Sequence, residues 1–298
     1  MLVNKIQVPA TSANIGPGFD CLGVALELYN ELEFGRLKDG VEIISKHFSS
    51  PPERNLVYIS YLKTLEYIGS PNIPVRIVEK SRIPSSRGLG SSAACIVGGV
   101  LGALVMADME LPKEEILKIA TMIEGHPDNV APAIYGGFTA STMKDEKIYT
   151  TGINTAESIK FLALVPDFKL STKMARSVLP KEIPYADGVF NVSRVAMLIS
   201  SLVNGENGNL KVALEDRLHQ PYRGGLIKDF DNILDFLKGS DAVGAYLSGA
   251  GPTIMSLLDI SDVTTKNKIS AFLSTLDSNW ELFELSLDKV GAKILRRD

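Results

Sequence analysis

Only two cysteines, Cys21 and Cys95, occur in 298 residues, far apart and each among apolar or small neighbours. That excludes a disulfide framework and a thiolate metal site and leaves two reduced thiols. A basic excess is missing too: 31 Lys and Arg against 35 Asp and Glu give a formal net charge of -4. Such a balance offers no broad footprint for a phosphate backbone, so nucleic acid is not an expected partner. Long hydrophobic runs are absent. The longest, Ala93 to Ala107, is too short to span a bilayer and is interrupted by glycines. The opening "MLVNKIQVPATSAN" has no basic segment followed by an apolar one. A soluble, cytoplasmic chain with no membrane partner is therefore expected. Hydrophobic residues at 45% and charged residues at 22% suffice for a full core in one large domain or two medium ones.

The early part of the chain reads mainly as strands: "KIQVPA", "CLGVALELYNELEFGRL", "GVEIIS" and "IPVRIVEKS". One helix, "ERNLVYISYLKTLEYIG", is inserted among them, with Gly69 as its stop. "SSAACIVGGVLGALVMADM" lacks polar residues on any side, which predicts a fully buried helix with Ser91 or Ser92 as its N-cap. "LPKEEILKIATMIEG" predicts another, with Pro112 in its first turn and Gly125 at its end. Strands are expected at "GGFTAST" and "KFLALVPD", then helices at "GVFNVSRVAMLISSLVNG" and "GGLIKDFDNILDFLKG". The chain closes on strand patterns "AVGAYLSGAG", "PTIMSLL" and "NWELFELSL". Helices and strands do not alternate strictly, which favours an α+β fold over a doubly wound parallel sheet. The polar stretch from Asp145 to Ile159 is the expected division, giving domains 1–150 and 151–298.

"PSSRGLGSSAA", Pro84 to Ala94, places a bare glycine- and serine-rich loop directly before the buried helix. Glycine permits close backbone approach, and a helix N-terminus offers free N–H groups and partial positive charge, so the loop suits a phosphate. A tight turn that only lets the helix pack is the structural alternative. A Walker A loop is excluded because no lysine follows Gly90. The dinucleotide pattern is met formally by Gly88, Gly90 and Ala93, but the acid that follows, Asp108, ends a helix rather than a second strand.

Together with "PATSANIGPGFD" (Pro9 to Asp20) and "LSGAGPT" (Leu247 to Thr253), this loop resembles the three motifs of the GHMP small-molecule kinases. The resemblance runs through nearly the whole chain. Within that superfamily, "PATSANIGPGFD" and "EGHPDNVAPAIYGGF" are similar to the homoserine kinases. The resemblance implies ATP-dependent phosphorylation of the L-homoserine hydroxyl on the route to threonine. It also implies an N-terminal domain like ribosomal protein S5 domain 2 and a C-terminal ferredoxin-like domain. Its partners would be ATP, Mg²⁺ and homoserine, and a homodimer is compatible with it. Another GHMP kinase, or a non-catalytic sensor of the same fold, are the competing readings.

Site residues follow from that resemblance. Pro84, Ser85, Ser86, Arg87, Gly88, Leu89, Gly90, Ser91, Ser92, Ala93 and Ala94 would cradle the nucleotide phosphates, and Asn55 would contact adenine while capping its helix. Ser92 and Glu124 would hold Mg²⁺, which needs one or two protein oxygens. Asn14 and Asp20 would face the substrate amino group and hydroxyl, and Arg176 and Arg223 its carboxylate. His126, Asp128, Thr172 and Gly249 would complete the homoserine site, with His126 binding rather than acting as a base. Asn14, Asp20, Glu124 and Asn129 are the expected catalytic set. Asn129 stands where several superfamily kinases carry an aspartate, and an amide is no general base near neutral pH. His47 and His219 are expected to be surface or structural residues.

Overall fold

The computed structural model describes residues 4–45, 51–145 and 147–296; His47 lies outside them. The first half runs β1 (Asn4–Ala13), β2 (Leu22–Arg36), β3 (Val41–Ser45), α1 (Leu56–Tyr67), β4 (Val75–Lys80), α2 (Ser91–Met106), α3 (Lys113–Glu124), α4 (Pro127–Tyr135), β5 (Phe138–Lys144) and β6 (Lys147–Ile153). The second runs β7 (Ile159–Pro166), α5 (Thr172–Ser177), α6 (Tyr185–Asn204), α7 (Leu210–Ala213), α8 (Gln220–Gly224), α9 (Phe230–Gly239), β8 (Gly244–Leu247), β9 (Ile254–Asp259), α10 (Thr265–Leu273), β10 (Trp280–Leu285) and β11 (Lys293–Arg296).

Two sheets organise these elements into an α+β fold. The first has the order β11-β1-β2-β4-β3, with β5 pairing both β2 and β6. The second is β10-β7-β9-β8 and antiparallel throughout. Residue 150 falls inside β6, and β11 carries the C-terminal segment back to pair with β1. Pro9, which cannot donate to the ladder, sits where the β1–β2 register shifts.

The buried helix α2 packs against β1, β2 and α1 because of its glycines. A Cβ on Gly99 would lie 2.3 Å from the Val57 carbonyl oxygen, and one on Gly102 2.3 Å from the Phe34 ring. Hence the backbone of α2 can sit directly on its neighbours. Its start departs from expectation: the N-cap is Gly90 in a left-handed conformation (φ 66°), not a serine. That frees the Ser92 hydroxyl for another partner. Pro112 occupies the N-cap position of α3 rather than its first turn.

α6 is long and apolar enough to cross a membrane by length and composition alone. In the fold it is fastened by polar contacts instead: Asn191 is buried on Pro17 and Asp216, Asp187 pairs with Arg217, and Arg194 pairs with Glu215.

Candidate active site

One cavity of about 460 Å³ lies where the phosphate loop, the loop after β1, α5 and the glycine turn before β9 converge. The connection from β1 to β2 must reverse within a few residues. It does so through Asn14 (φ 71°), Ile15 (φ 44°) and Gly16 (φ 69°), with Asp20 also left-handed (φ 53°). Non-glycine residues there are costly unless the surroundings fix them. Asn14 supplies part of that fixing. Its Oδ1 accepts from the Asp20 backbone N–H at 3.0 Å, and its Nδ2 donates to the Gly249 carbonyl at 2.8 Å.

The phosphate loop is tied to the third motif at close range. Gly88 (φ 79°) has its Cα so near the Ser248 carbonyl that a Cβ would approach it to 2.4 Å. Ser248 Oγ donates to the Gly88 carbonyl at 2.6 Å, and the Thr253 N–H donates to the Arg87 carbonyl at 3.2 Å. Ser85, Ser86, Arg87, Gly88, Gly90, Ser91 and Ser92 line the cavity. Pro84, Leu89, Ala93 and Ala94 do not; the last three are fully buried beneath it. The Arg87 guanidinium turns away to the carbonyls of Ser85, Pro166 and Asp167, tying the loop to the end of β7.

Ser92 Oγ donates to Glu124 Oε2 at 2.9 Å. Burial pushes the Glu124 carboxyl above its usual range, a state that a cation would relieve. Hydroxyl and carboxylate are the hard oxygen donors Mg²⁺ takes, so this pair fits that ion. Among the described residues no three His, Cys, Asp or Glu side chains gather as a richer metal cluster.

At the other end of the cavity Arg176 meets Asp20 in a two-pronged ion pair, at 2.9 and 3.1 Å. Arg223 is only 2% exposed. Its Nε donates to the Ala175 carbonyl at 3.2 Å, and its Nη1 to the Gly249 carbonyl at 3.0 Å and to His219 Nδ1 at 3.3 Å. Burial and the neighbouring Arg176 pull its pKa down to about 10, still cationic at neutral pH. Only Nη2 makes no hydrogen bond within the described residues. His219 is wholly enclosed, not a surface residue.

His126 and Asp128 flank the start of α4. His126 Nδ1 lies 2.5 Å from Asp128 Oδ1, and that hydrogen bond raises the imidazole pKa against the opposing effect of burial. Asn129 Oδ1 accepts from the buried Thr11 hydroxyl at 2.8 Å, which fixes the amide's orientation. Thr172 and Gly249 also line the cavity. Asp108 lies elsewhere, paired with Arg36 at 3.0 Å, so the acid on which the dinucleotide reading relied is not at the loop.

A family model described as the GHMP kinases N terminal domain matches residues 55–137, and one for the GHMP kinases C terminal matches residues 198–281. Homoserine kinase of Clostridium botulinum (strain Okra / Type B1) is 47% identical over 293 residues, covering 98% of this chain and 99% of its own. The chain belongs to the homoserine kinase family. A second family member, from Clostridium beijerinckii, is 43% identical over 97% of this chain and 98% of its own. The crystal structure of homoserine kinase from Cytophaga hutchinsonii superposes with a TM-score of 0.89 at 27% identity, covering 98% of this chain and 97% of that one. Mevalonate kinase from Methanococcus jannaschii shares the fold, with a TM-score of 0.71 at 17% identity.

The homoserine-kinase pocket also contains groups that sequence reasoning missed. Glu79 is 5% exposed, and its Oε1 accepts from Asn55 Nδ2 at 2.7 Å, while Asn55 Oδ1 caps α1 through the Tyr58 N–H. Burial raises the Glu79 carboxyl pKa and pushes the adjoining Cys95 thiol up to about 12. The signal was present in "VRIVEK": alternation puts Val75, Ile77 and Glu79 on one buried face, where a carboxylate needs a partner. Arg54, Leu170, Ser171 and Ala250 line the cavity as well.

Proposed function

We propose that this pocket transfers the γ-phosphoryl group of ATP to the side-chain hydroxyl of L-homoserine, giving O-phospho-L-homoserine on the route to threonine. One observation carries the reading. A loop of backbone donors with a Ser92–Glu124 oxygen pair faces, across a single cavity, an Asp20–Arg176–Arg223 set suited to an amino acid zwitterion. The homoserine ammonium goes to Asp20 and its carboxylate to Arg176 and the free Nη2 of Arg223.

Phosphoryl transfer asks for alignment and charge neutralisation more than covalent help. The loop from Ser85 to Ser92 supplies N–H groups and the α2 N-terminus to the phosphates. Ser92 and Glu124 would hold Mg²⁺, which when bound neutralises phosphate charge and orients the phosphoryl group. The homoserine oxygen attacks the γ-phosphorus, the bond to the β,γ-bridging oxygen breaks, and ADP leaves. The hydroxyl proton departs to a phosphate oxygen or to water. Asn129 cannot take it, being an amide whose oxygen is already engaged by Thr11. Asp128 is engaged by His126, and that hydrogen bond occupies the imidazole Nδ1, so we read His126 as a binding residue. Adenine lies toward Asn55 and Glu79.

The test is ADP release with MgATP across L-homoserine, mevalonate, galactose and shikimate. Homoserine is expected to be turned over far better than the rest; equal activity on mevalonate would sink the assignment.

A further inference from the structure

His219, just before α8, is fully enclosed and has no part in the chemistry described above. Its ring nitrogens make two contacts with opposite requirements. Nδ1 faces Arg223 Nη1 at 3.3 Å, and Nε2 faces the Gly16 carbonyl at 2.9 Å. A guanidinium can only donate and a carbonyl can only accept. One ring form satisfies both: the neutral imidazole with its proton on Nε2. Burial moves the His219 pKa down, favouring that neutral form, and Arg223 acts in the same direction.

The charged groups facing the ring are Asp216, Arg223 and Asp20. Asp216 Oδ2 is 3.6 Å from Nε2, but the Asp216 carboxylate is already engaged by the N–H groups of Leu218, His219 and Gln220 and by Asn191 Nδ2. Phe19 stacks on the imidazole with ring centroids 5.2 Å apart, and the Arg223 guanidinium lies over the same Phe19 ring at 5.1 Å. Gly16 and Phe19 both belong to the strained loop that carries Asn14 and Asp20. Arg223 reaches in turn to Ala175, next to Arg176, and to Gly249.

We propose that His219 is a positioning residue for the homoserine site. As a neutral Nε2–H imidazole it locks the 14–20 loop and the Arg223 guanidinium in one arrangement, so that Asp20, Arg176 and Arg223 Nη2 present a preformed receptor for the zwitterion. This rests on the reading of those three residues as the homoserine site.

Three variants and one spectrum test it. His219→Ala removes both contacts, and leaving buried partners unmet should raise the homoserine KM about tenfold or more. The ATP KM should stay within about twofold, because the phosphate loop is untouched. His219→Asn returns an acceptor near the Nδ1 position, and His219→Gln returns a donor near the Nε2 position. Each should recover part of the homoserine KM. A residue that merely fills space would instead show matched losses for ATP and homoserine, with no rescue by either amide, and that result overturns the proposal. Nitrogen-15 NMR of the wild-type imidazole gives a readout independent of activity and of variant folding. It should report the neutral Nε2–H form between about pH 6 and 8. An imidazolium, or a proton on Nδ1, would overturn the proposal. Absence of homoserine turnover in the wild type would remove the functional reading while leaving the tautomer result to stand by itself.

Discussion

The Asp20–Arg176 ion pair makes a quantitative prediction, because the substrate must replace it. The two side chains are 37% and 39% exposed, and a pair so open to water contributes about 1 kcal/mol at most, even in two-pronged geometry. Homoserine breaks it and offers a charge-assisted partner to each side, worth about 1.5–3 kcal/mol apiece. 4-Hydroxybutanoate, homoserine without its amino group, breaks the same pair but satisfies only Arg176. In Asp20→Asn there is no pair to break. The analogue should therefore bind about fivefold more tightly than it does to the wild type, the equivalent of the lost ~1 kcal/mol. Homoserine gives up one contact and is relieved of the same cost, a net loss of about 0.5–2 kcal/mol, or roughly 2- to 30-fold in affinity. Isothermal titration of both ligands, with a non-hydrolysable ATP analogue present, measures the two effects. If Asp20→Asn leaves the analogue's affinity unchanged or weaker, the exchange argument is refuted.

Three further outcomes follow from the same geometry. Glu124→Gln and Ser92→Ala should each lower kcat by about tenfold or more while the far-ultraviolet spectrum stays unchanged; wild-type turnover of both variants at limiting Mg²⁺ would remove these residues from the metal. The Asp128 contact raises the His126 pKa, so its contribution to stability is full below the unfolded-state value and fades as pH rises through the folded-state value. Asp128→Asn should thus lower Tm more at pH 6 than at pH 8, and a pH-independent loss would contradict the pairing; a fall in kcat of several orders of magnitude with homoserine binding intact would make Asp128 the base. Glu79 shifts in the same direction for a different reason, an acid whose folded-state pKa is raised by burial rather than by a partner, so stability again falls as pH climbs past its unfolded-state value. Glu79→Gln keeps the bond from Asn55 and should raise Tm at neutral pH by roughly 2 °C, with a smaller gain near pH 4; a lower Tm at neutral pH would refute this.

Much of the architecture was legible because hydrophobic period and glycine position act locally. The strands from β1 to β5 and the helices α1, α2 and α3 follow from alternation, helical spacing and stops such as Gly69 and Gly125. α4 was not read from "GHPDNVAPAIYGG" because its prolines look like breakers. Pro127 in fact occupies the first helical position, where a missing N–H costs nothing, and Pro132 is accommodated within the helix. β6 and β11 are short and polar, and only pairing with β5 and β1 makes them strands. At the site, most of the residues named from the sequence meet in one cavity, but the sequence does not show how their hydrogen bonds are distributed. Nothing in "QPYRGG" says that three acceptors already hold Arg223, or in "SSRGLG" that Arg87 turns to the end of β7. All but the His219 contact join residues far apart in the chain, and local pattern carries no record of them.

The central claim is that the hydroxyl of homoserine receives the γ-phosphoryl group in this cavity. Phosphorus-31 NMR of the wild-type protein with MgATP and L-homoserine tests it most directly. The expected spectrum shows ADP growing in step with a phosphomonoester resonance coupled to the homoserine γ-methylene protons. Growth of ADP together with inorganic phosphate alone, and no phosphomonoester, would contradict it.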